Sequence, residues 1–272
     1  MGVPRKLTLT LAALMTAQSL TGVMAPGRYR DVAWITATWY GNDWLTLIIA
    51  VPLLLISSRA ARRGSARAFL LWAGVVGYAV YNYAFYLLGA ALNAFFPLYV
   101  LCVVLAAVML ILALAKLDAT VITLTEQSVA PIPLIGGSFV IIGLGLGAVW
   151  TTLWAAHVFA GRPTPVEPEA FRLVAALDLS MMVPALVCGG ILMWRRRPWG
   201  VVLGAIAGVQ GSLYLAVLSI NSLIAIERGF AAWPGELVLW APLAAVTVSV
   251  TLLLLVSVRS RNEGQRRAQV VF

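Results

Sequence analysis

Polar side chains recur at helical spacing within one long apolar stretch in the first half of the chain. Tyr78, Asn82 and Tyr86 are four residues apart, and Gly89 and Asn93 follow after three and four more. This spacing places them along one face of an α-helix. Tyrosine hydroxyls and asparagine amides both donate and accept hydrogen bonds. Such a face can therefore bind either a polar ligand or a neighbouring helix.

A second polar stripe lies in the second half of the chain. Gln210, Tyr214 and Asn221 are separated by four and seven residues, which again defines one helical face. Polar groups in hydrocarbon cost free energy unless they are hydrogen-bonded, so both stripes should face other helices or a wet cavity. Two interpretations remain open: the stripes hold helices together, or they line a ligand site.

We expect Asp178 to be the only acidic residue well inside a span. It lies seven residues after Phe171, or roughly 10 Å along a helix. A charged side chain at the centre of a bilayer costs about 2.5–3.5 kcal/mol, so an intramembrane acid indicates a functional site with a bonded partner. The alternative is an acid near a helix N-terminus, stabilised by the helix dipole. The expected partners are Asn221, Tyr86, Asn82 and Arg172.

The sequence lacks the residues that several kinds of chemistry require. His157 is the only histidine, so haem ligation by a histidine pair is excluded within one chain. One histidine with the distant Cys102 and Cys188 makes a zinc site improbable. The lysines, Lys6 and Lys116, lie outside the apolar stretches, which argues against a retinal Schiff base. P-loop, HExxH and GxSxG motifs are absent. We therefore expect no metal and no cofactor, and an enzyme is the third choice.

The composition indicates a membrane protein. The 272 residues are 62% hydrophobic and 11% charged, with a mean hydropathy of +0.95. Soluble domains carry about 25% charged residues. Repeated apolar stretches, each long enough to cross a bilayer as a helix, predict a polytopic, all-α transmembrane bundle. We expect it to form one integral membrane domain over residues 1–272.

About eight spans can be placed along the chain. The first resembles a signal peptide, but its long apolar run and poor cleavage site favour a retained helix. Residues 26–42 carry Trp34, Trp39 and Tyr40, which predicts a segment along the membrane interface. Alternatively, the second span begins earlier, within residues 33–42. A polar tail follows the last span. The expected spans are residues 7–24, 43–58, 68–92, 95–115, 132–157, 171–194, 199–226 and 236–258.

The basic residues predict the orientation. The formal charge of +9 sits in short loops between spans, which fits the positive-inside rule and argues against nucleic-acid binding. Eight spans place both termini on one side, and 14 of the 19 basic residues share that side. We expect cytoplasmic termini and a location in the inner, or plasma, membrane. The five basic residues on the other side are Arg28, Arg30, Arg162, Arg172 and Arg228.

The chain also shows signs of an internal repeat. The pair Val51-Pro52 recurs as Val183-Pro184 at an offset of 132, and an arginine cluster follows each pair. Beyond residue 97 the offset grows to 145. We expect a duplicated four-helix unit, residues 1–125 and 126–272, whose halves are parallel and related by an axis along the membrane normal. The alternative is chance similarity between apolar helices. The pairs at offset 132 include Tyr78 with Gln210, Asn82 with Tyr214, and Gly89 with Asn221.

Short motifs resemble those of a family of uncharacterised bacterial multi-pass membrane proteins. In the first half they are Asn42-Asp43, Val51-Pro52, Arg62-Arg63-Gly64, Tyr81-Asn82-Tyr83-Ala84 and the segment from Asn93 to Tyr99. In the second half they are Asp178, Val183-Pro184 and Arg196-Arg197-Pro198-Trp199-Gly200. The resemblance covers most of the chain and implies a bacterial inner-membrane protein. It implies no activity and therefore assigns no site residue.

Two functions fit these features. The first is a protein that binds or carries a small or lipid-like molecule in an outward-facing polar pocket. The second is a membrane scaffold or sensor subunit, in which the stripes only join helices. The expected partners are the lipid bilayer and such a ligand, and the oligomeric state is left open. The pocket would be lined by Tyr78, Asn82, Tyr86, Asp178, Gln210, Tyr214 and Asn221.

Overall fold

The computed structural model describes residues 2–124 and 132–260. Within these ranges eight helices are long and apolar enough to cross a membrane, which confirms the predicted all-α fold. The predicted boundary between the halves and the tail basic residues Arg261, Arg266 and Arg267 lie outside the described residues. The helices are α1 (Arg5–Met24), α2 (Ala33–Arg62), α3 (Ala66–Gly89), α4 (Phe96–Ala115), α5 (Ile132–Ala160), α6 (Pro168–Trp194), α7 (Pro198–Glu227) and α8 (Leu237–Ser257).

Seven of the eight predicted spans begin and end within three residues of their helices, and α2 is the exception. It begins at Ala33, so the prediction of an interfacial segment through residue 42 was wrong and the earlier start is correct. The reason lies in the aromatic residues. Trp39 is buried, and its ring lies 4.7 Å from that of Tyr86 and 5.1 Å from that of Phe85. These rings fill the bundle rather than anchor the chain at the headgroups.

Helices α3 and α7 form the centre of the bundle and are its most buried helices. They approach closely through glycines of α3. A Cβ atom on Gly74 would clash with Val209, and one on Gly77 would lie 3.3 Å from Ile206. Small residues permit such close approach of membrane helices. Helices α4, α5 and α8 expose most of their surface at the periphery.

Helices α2 and α6 each contain a wider, π-helical turn. The two turns are Thr46–Ala50 and Asp178–Met182, and each ends immediately before a Val-Pro pair. Proline has no backbone N–H and cannot continue the regular hydrogen-bond pattern. Turns of this kind occur mostly within α-helices and frequently at functional sites. Both helices are therefore locally interrupted near the middle of their length.

A short two-stranded ribbon, which the sequence did not predict, joins two connections. Strand β1 (Ile122–Leu124) follows α4, and strand β2 (Val258–Ser260) follows α8. The two strands are antiparallel. We call the side of the bundle on which α1 begins and α8 ends the terminal side, and the opposite side the distal side. The ribbon lies on the terminal side.

Candidate intramembrane polar site

Asp178 is fully buried and is held by two neutral donors. The hydroxyl of Tyr81 donates to one carboxylate oxygen at 2.6 Å, and Nε1 of Trp150 donates to the other at 2.8 Å. Tyr81 belongs to α3 and Trp150 to α5. Carboxylates accept strong hydrogen bonds from such groups. The carboxylate therefore joins three helices of the bundle.

The partners predicted for Asp178 were wrong: the bonds come neither from Asn221, Tyr86 or Asn82 nor from Arg172. Tyr81 and Asn82 are adjacent on α3, so their side chains point about 100° apart around the helix. Helix α6 packs beside the face that carries Tyr81, whereas Asn82 faces α2. The stripe identified a buried face but not the helix that packs against each part of it.

Asp43 is a second fully buried acid, which the sequence reading placed at the start of a span. It lies ten residues into α2. Its oxygens accept hydrogen bonds from Gln18 Nε2 at 3.1 Å, from the Tyr29 hydroxyl at 2.6 Å and from the Tyr86 hydroxyl at 3.0 Å. Gly22 of α1 makes room for the carboxylate, because a Cβ atom there would clash with it. Asp178 is thus not the only acid within a span.

Tyr29 closes the Asp43 cluster from the connection between α1 and α2. The residue is buried although it lies outside the membrane-spanning helices. Burial and the neighbouring Asp43 carboxylate raise the pKa of the Tyr29 hydroxyl well above its ordinary range. The hydroxyl therefore stays protonated and remains a donor to Asp43 at neutral pH.

Three asparagines form an amide cluster where α2, α3 and α7 meet. Asn42 Nδ2 donates to Asn82 Oδ1 at 3.4 Å, and Asn221 Nδ2 donates to Asn42 Oδ1 at 3.2 Å. Gly41 allows this approach, because a Cβ atom there would clash with Asn221. Among the described residues, Asn82 Nδ2 and Asn221 Oδ1 have no hydrogen-bond partner. The cluster therefore keeps one donor and one acceptor for another polar group.

The other predicted site residues lie near the centre of α3 and α7. The Tyr78 hydroxyl and Gln210 Nε2 are buried without a hydrogen-bond partner among the described residues. The Gln210 side chain lies across Gly77, whose absent Cβ would be 3.3 Å from Gln210 Oε1. The Tyr214 ring contacts the Tyr81 ring edge-on, with 4.9 Å between centroids. Buried polar groups without partners are uncommon in native structures, so each one calls for a physical explanation.

The seven predicted residues therefore occupy several adjacent clusters. Asn42 joins Asn82 to Asn221, and Tyr81 links Asp178 to Tyr214. Tyr86 belongs with Asp43. Neither the Tyr78 hydroxyl nor Gln210 Nε2 donates a hydrogen bond to Asp43 or Asp178.

The two acids lie at different depths. Tyr86, which binds Asp43, is three residues from the distal end of α3, or about 5 Å. Tyr81, which binds Asp178, is eight residues from that end, or about 12 Å. By this measure Asp178 lies farther from the distal end of the bundle than Asp43 does.

The polar clusters are enclosed by helices in this conformation. One cavity, of about 560 Å³, lies on the distal side beside Trp34, His157 and Glu167. A second, of about 430 Å³, lies on the terminal side beside Arg196 and Arg197. None of the predicted site residues lines either cavity. In the described ranges, no three His, Cys, Asp or Glu side chains are grouped as metal ligands would be.

The sequence reading missed Asp43, Gln18, Tyr81 and Trp150 as site residues. One signal could have found two of them. Trp150 follows Gln18 at the same offset of 132 as the two Val-Pro pairs, and each donates to one buried acid. Tyr81 was one position from the predicted stripe. Because it points to a different neighbour, its role follows only from the packing.

Eight apolar helices around buried carboxylates and amides define a polytopic α-helical membrane protein with an intramembrane polar site. Comparison of the chain with protein-family models, curated proteins and solved structures finds no match.

Proposed function

We propose that the protein is a membrane carrier for a small or lipid-like molecule that binds between two halves of the bundle. The observation that carries this proposal is the pair of interrupted helices. Helices α2 and α6 each hold a π-helical turn, a Val-Pro pair and a buried acid. In carriers built from repeats, interrupted helices at corresponding positions in the two halves mark the substrate site.

The duplication of a four-helix unit is part of this proposal, and the helix bounds support it. The π-helical turns begin at residues 46 and 178, α2 and α6 end at 62 and 194, and α3 and α7 begin at 66 and 198. Each pair of bounds keeps the offset of 132 that the sequence motifs show. The contacts between α3 and α7 agree. Gly74 meets Val209, and Gly77 meets Ile206, which are the contacts exchanged by a two-fold axis between these helices.

Polar groups lie on both packing surfaces between the proposed halves. Helix α2 reaches α7 through Asn42 and Asn221, and α6 reaches α3 through Asp178 and Tyr81. Separation of either pair would expose these side chains together with the unsatisfied groups of Asn82 and Gln210. Such a site would offer a ligand both hydrogen-bond donors and an acidic group.

Cysteine accessibility tests the carrier without knowledge of its substrate. The native Cys102 and Cys188 are replaced by serine, and Asn82→Cys or Asn221→Cys is introduced. A carrier should let a membrane-impermeant maleimide label these positions from both sides of the membrane. The control is Leu70→Cys, at a fully buried position in the core. No labelling of either site from either side, with the protein folded, would refute the proposal.

A co-purification experiment addresses the ligand itself. Mass spectrometry of the purified protein should reveal a small or lipid-like molecule that is depleted in Asn82→Leu. Leucine has a similar size but cannot donate or accept a hydrogen bond. Equal recovery of every molecule from both proteins would show that Asn82 does not bind the ligand.

The alternative function is a scaffold or sensor subunit, and one observation favours it. The polar groups bond mainly to one another, and Asp43 accepts three hydrogen bonds from within the bundle. In that case the polar clusters act only as interhelical contacts. Complete protection of Asn82→Cys and Asn221→Cys would support this alternative.

A further inference from the structure

The turns that follow α2 and α6 on the terminal side have the same backbone design. In each, the first residue after the helix cap bonds back three residues and the next bonds back five, which is a Schellman motif. The bonds after α2 are Gly64 N–H to Ala61 O (3.0 Å) and Ser65 N–H to Ala60 O (3.4 Å). The bonds after α6 are Arg196 N–H to Met193 O and Arg197 N–H to Leu192 O, both 2.9 Å.

The two turns differ at the residue that adopts the left-handed conformation. Gly64 has φ of +95°, and Arg196, at the corresponding position, has φ of +51°. Glycine is the usual residue here because a side chain makes this conformation unfavourable. Arg196 is the only non-glycine residue with positive φ in the described part of the chain. Backbone strain of this kind persists only where the surrounding structure enforces it, and it is concentrated at active and ligand-binding sites.

Arg196 and Arg197, both exposed, are among the residues that line the terminal-side cavity of about 430 Å³. The other walls are apolar and come from β1, α5, α6 and α7, with Ile132, Met193 and Val201 among them. Neither guanidinium forms an ion pair or a hydrogen bond within residues 2–124 and 132–260. Among the described lining residues none is acidic.

Two tryptophans place this cavity at the membrane boundary. Trp194 ends α6, Trp199 lies in the first turn of α7, and both are exposed. Nε1 of Trp194 donates to the Pro133 carbonyl at 2.7 Å and thereby fixes the end of α6 to the start of α5. Exposed tryptophan at helix ends is typical of the headgroup region of a bilayer. We therefore expect the cavity, which lies beside these tryptophans, to open at the level of the lipid headgroups.

We propose that this cavity binds the headgroup of an anionic phospholipid. Arg196 and Arg197 would bind the phosphate through their forked guanidinium groups. The apolar walls would contact the glycerol and upper acyl chains. Basic pockets between membrane helices favour anionic headgroups. A free phosphate ion would use the arginines but would gain nothing from the apolar walls.

Native mass spectrometry with added lipid tests this proposal on the full chain. Wild-type protein should retain phosphatidylglycerol about thirtyfold better than phosphatidylcholine, as expected for two arginines near a headgroup. The double variant Arg196→Gln, Arg197→Gln should lose this preference. The control Arg63→Gln, Arg195→Gln removes the same charge from residues that do not line the cavity and should keep it. An equal loss in the control would assign the effect to general charge and overturn the proposal.

A competition arm separates lipid from free anion. Millimolar inorganic phosphate should leave phosphatidylglycerol retention unchanged, because phosphate lacks the apolar contacts. Displacement by phosphate would show a site for a free anion and would also overturn the proposal.

Arg196→Gly separates function from folding. Glycine relieves the left-handed conformation, so this variant should unfold at a higher temperature than wild type. It should at the same time retain less phosphatidylglycerol. Unchanged lipid retention in this stable variant would show that Arg196 has no role in binding.

Discussion

Asp43 and Asp178 are both buried carboxylates, but their hydrogen-bond donors come from different parts of the bundle. Both are fully buried, and both accept hydrogen bonds from neutral donors. The donors to Asp43 come from α1, α3 and the connection before α2, all in the first proposed half. The donors to Asp178 come from both proposed halves. Asp178 is therefore the acid that must lose a hydrogen bond, the one from Tyr81, if the halves separate.

Removal of the Tyr81 hydroxyl should destabilise the fold more than removal of the Tyr214 hydroxyl. Tyr81→Phe leaves Asp178 with one donor, and the expected loss is about 1–3 kcal/mol of unfolding free energy, as for hydrogen bonds to charged groups. Tyr214→Phe keeps the ring contact with Tyr81 and both bonds to Asp178. Unfolding of the two variants in mixed detergent would measure the difference. Equal losses would contradict the importance of the Tyr81 bond.

The raised pKa of Tyr29 predicts a loss of stability at alkaline pH. In the unfolded chain the hydroxyl ionises near pH 10, whereas burial and Asp43 keep it protonated in the folded protein. Stability from this group is full below pH 10 and falls as the pH rises above it. Between pH 9 and pH 11 the free energy of unfolding should fall by about 1.4 kcal/mol more for the wild type than for Tyr29→Phe. Parallel stability curves over this range would rule out the effect.

At the scale of helices, the crossing of α3 and α7 depends on the absence of a side chain at Gly74. Gly74→Ala should force the helices apart, because the new Cβ atom would clash with Val209. Overpacking of this kind costs about 1–3 kcal/mol. Gly145→Ala is the matched control, since nothing lies within 4 Å of its added Cβ atom. Thermal unfolding should show a lower midpoint for Gly74→Ala only, and an unchanged midpoint would contradict the described crossing.

Hydropathy was sufficient to place the helices along the chain. It did not predict which face of each helix packs against which neighbour. The apolar runs predicted seven spans closely because each alone must satisfy its backbone within hydrocarbon. The start of α2 was missed because Trp and Tyr fit both a membrane interface and a packed core. The partners of Asp178 were missed because rotation and neighbour choice depend on the whole bundle. Gly22, Gly41 and Gly74 decide which surfaces meet, and their partners are distant in sequence.

At the scale of the molecule, the two proposed halves keep the offset of 132 where α2 and α6 end and where α3 and α7 begin. Their acids, however, lie one helical turn apart at that offset. At the offset of 132, Asp43 corresponds to Ala175, and Asp178 corresponds to Thr46. This shift moves Asp178 three residues, or about 4.5 Å, farther along its helix. There it meets Tyr81 of the other half. A duplicated fold can thus hold two acids with separate roles, one within a half and one between halves.

The orientation of the whole molecule gives the last prediction. The arginines near residues 59–67 and 195–197 lie at helix ends on the terminal side, which should therefore face the cytoplasm. A fluorescent reporter that folds only in the cytoplasm should be active after Phe272, and alkaline phosphatase should be inactive there. The control fusion after Gly161, in the distal connection between α5 and α6, should show the opposite pattern. If the two fusions exchange their activities, the bundle is inverted, and the cavity beside Arg196 would face the outer leaflet.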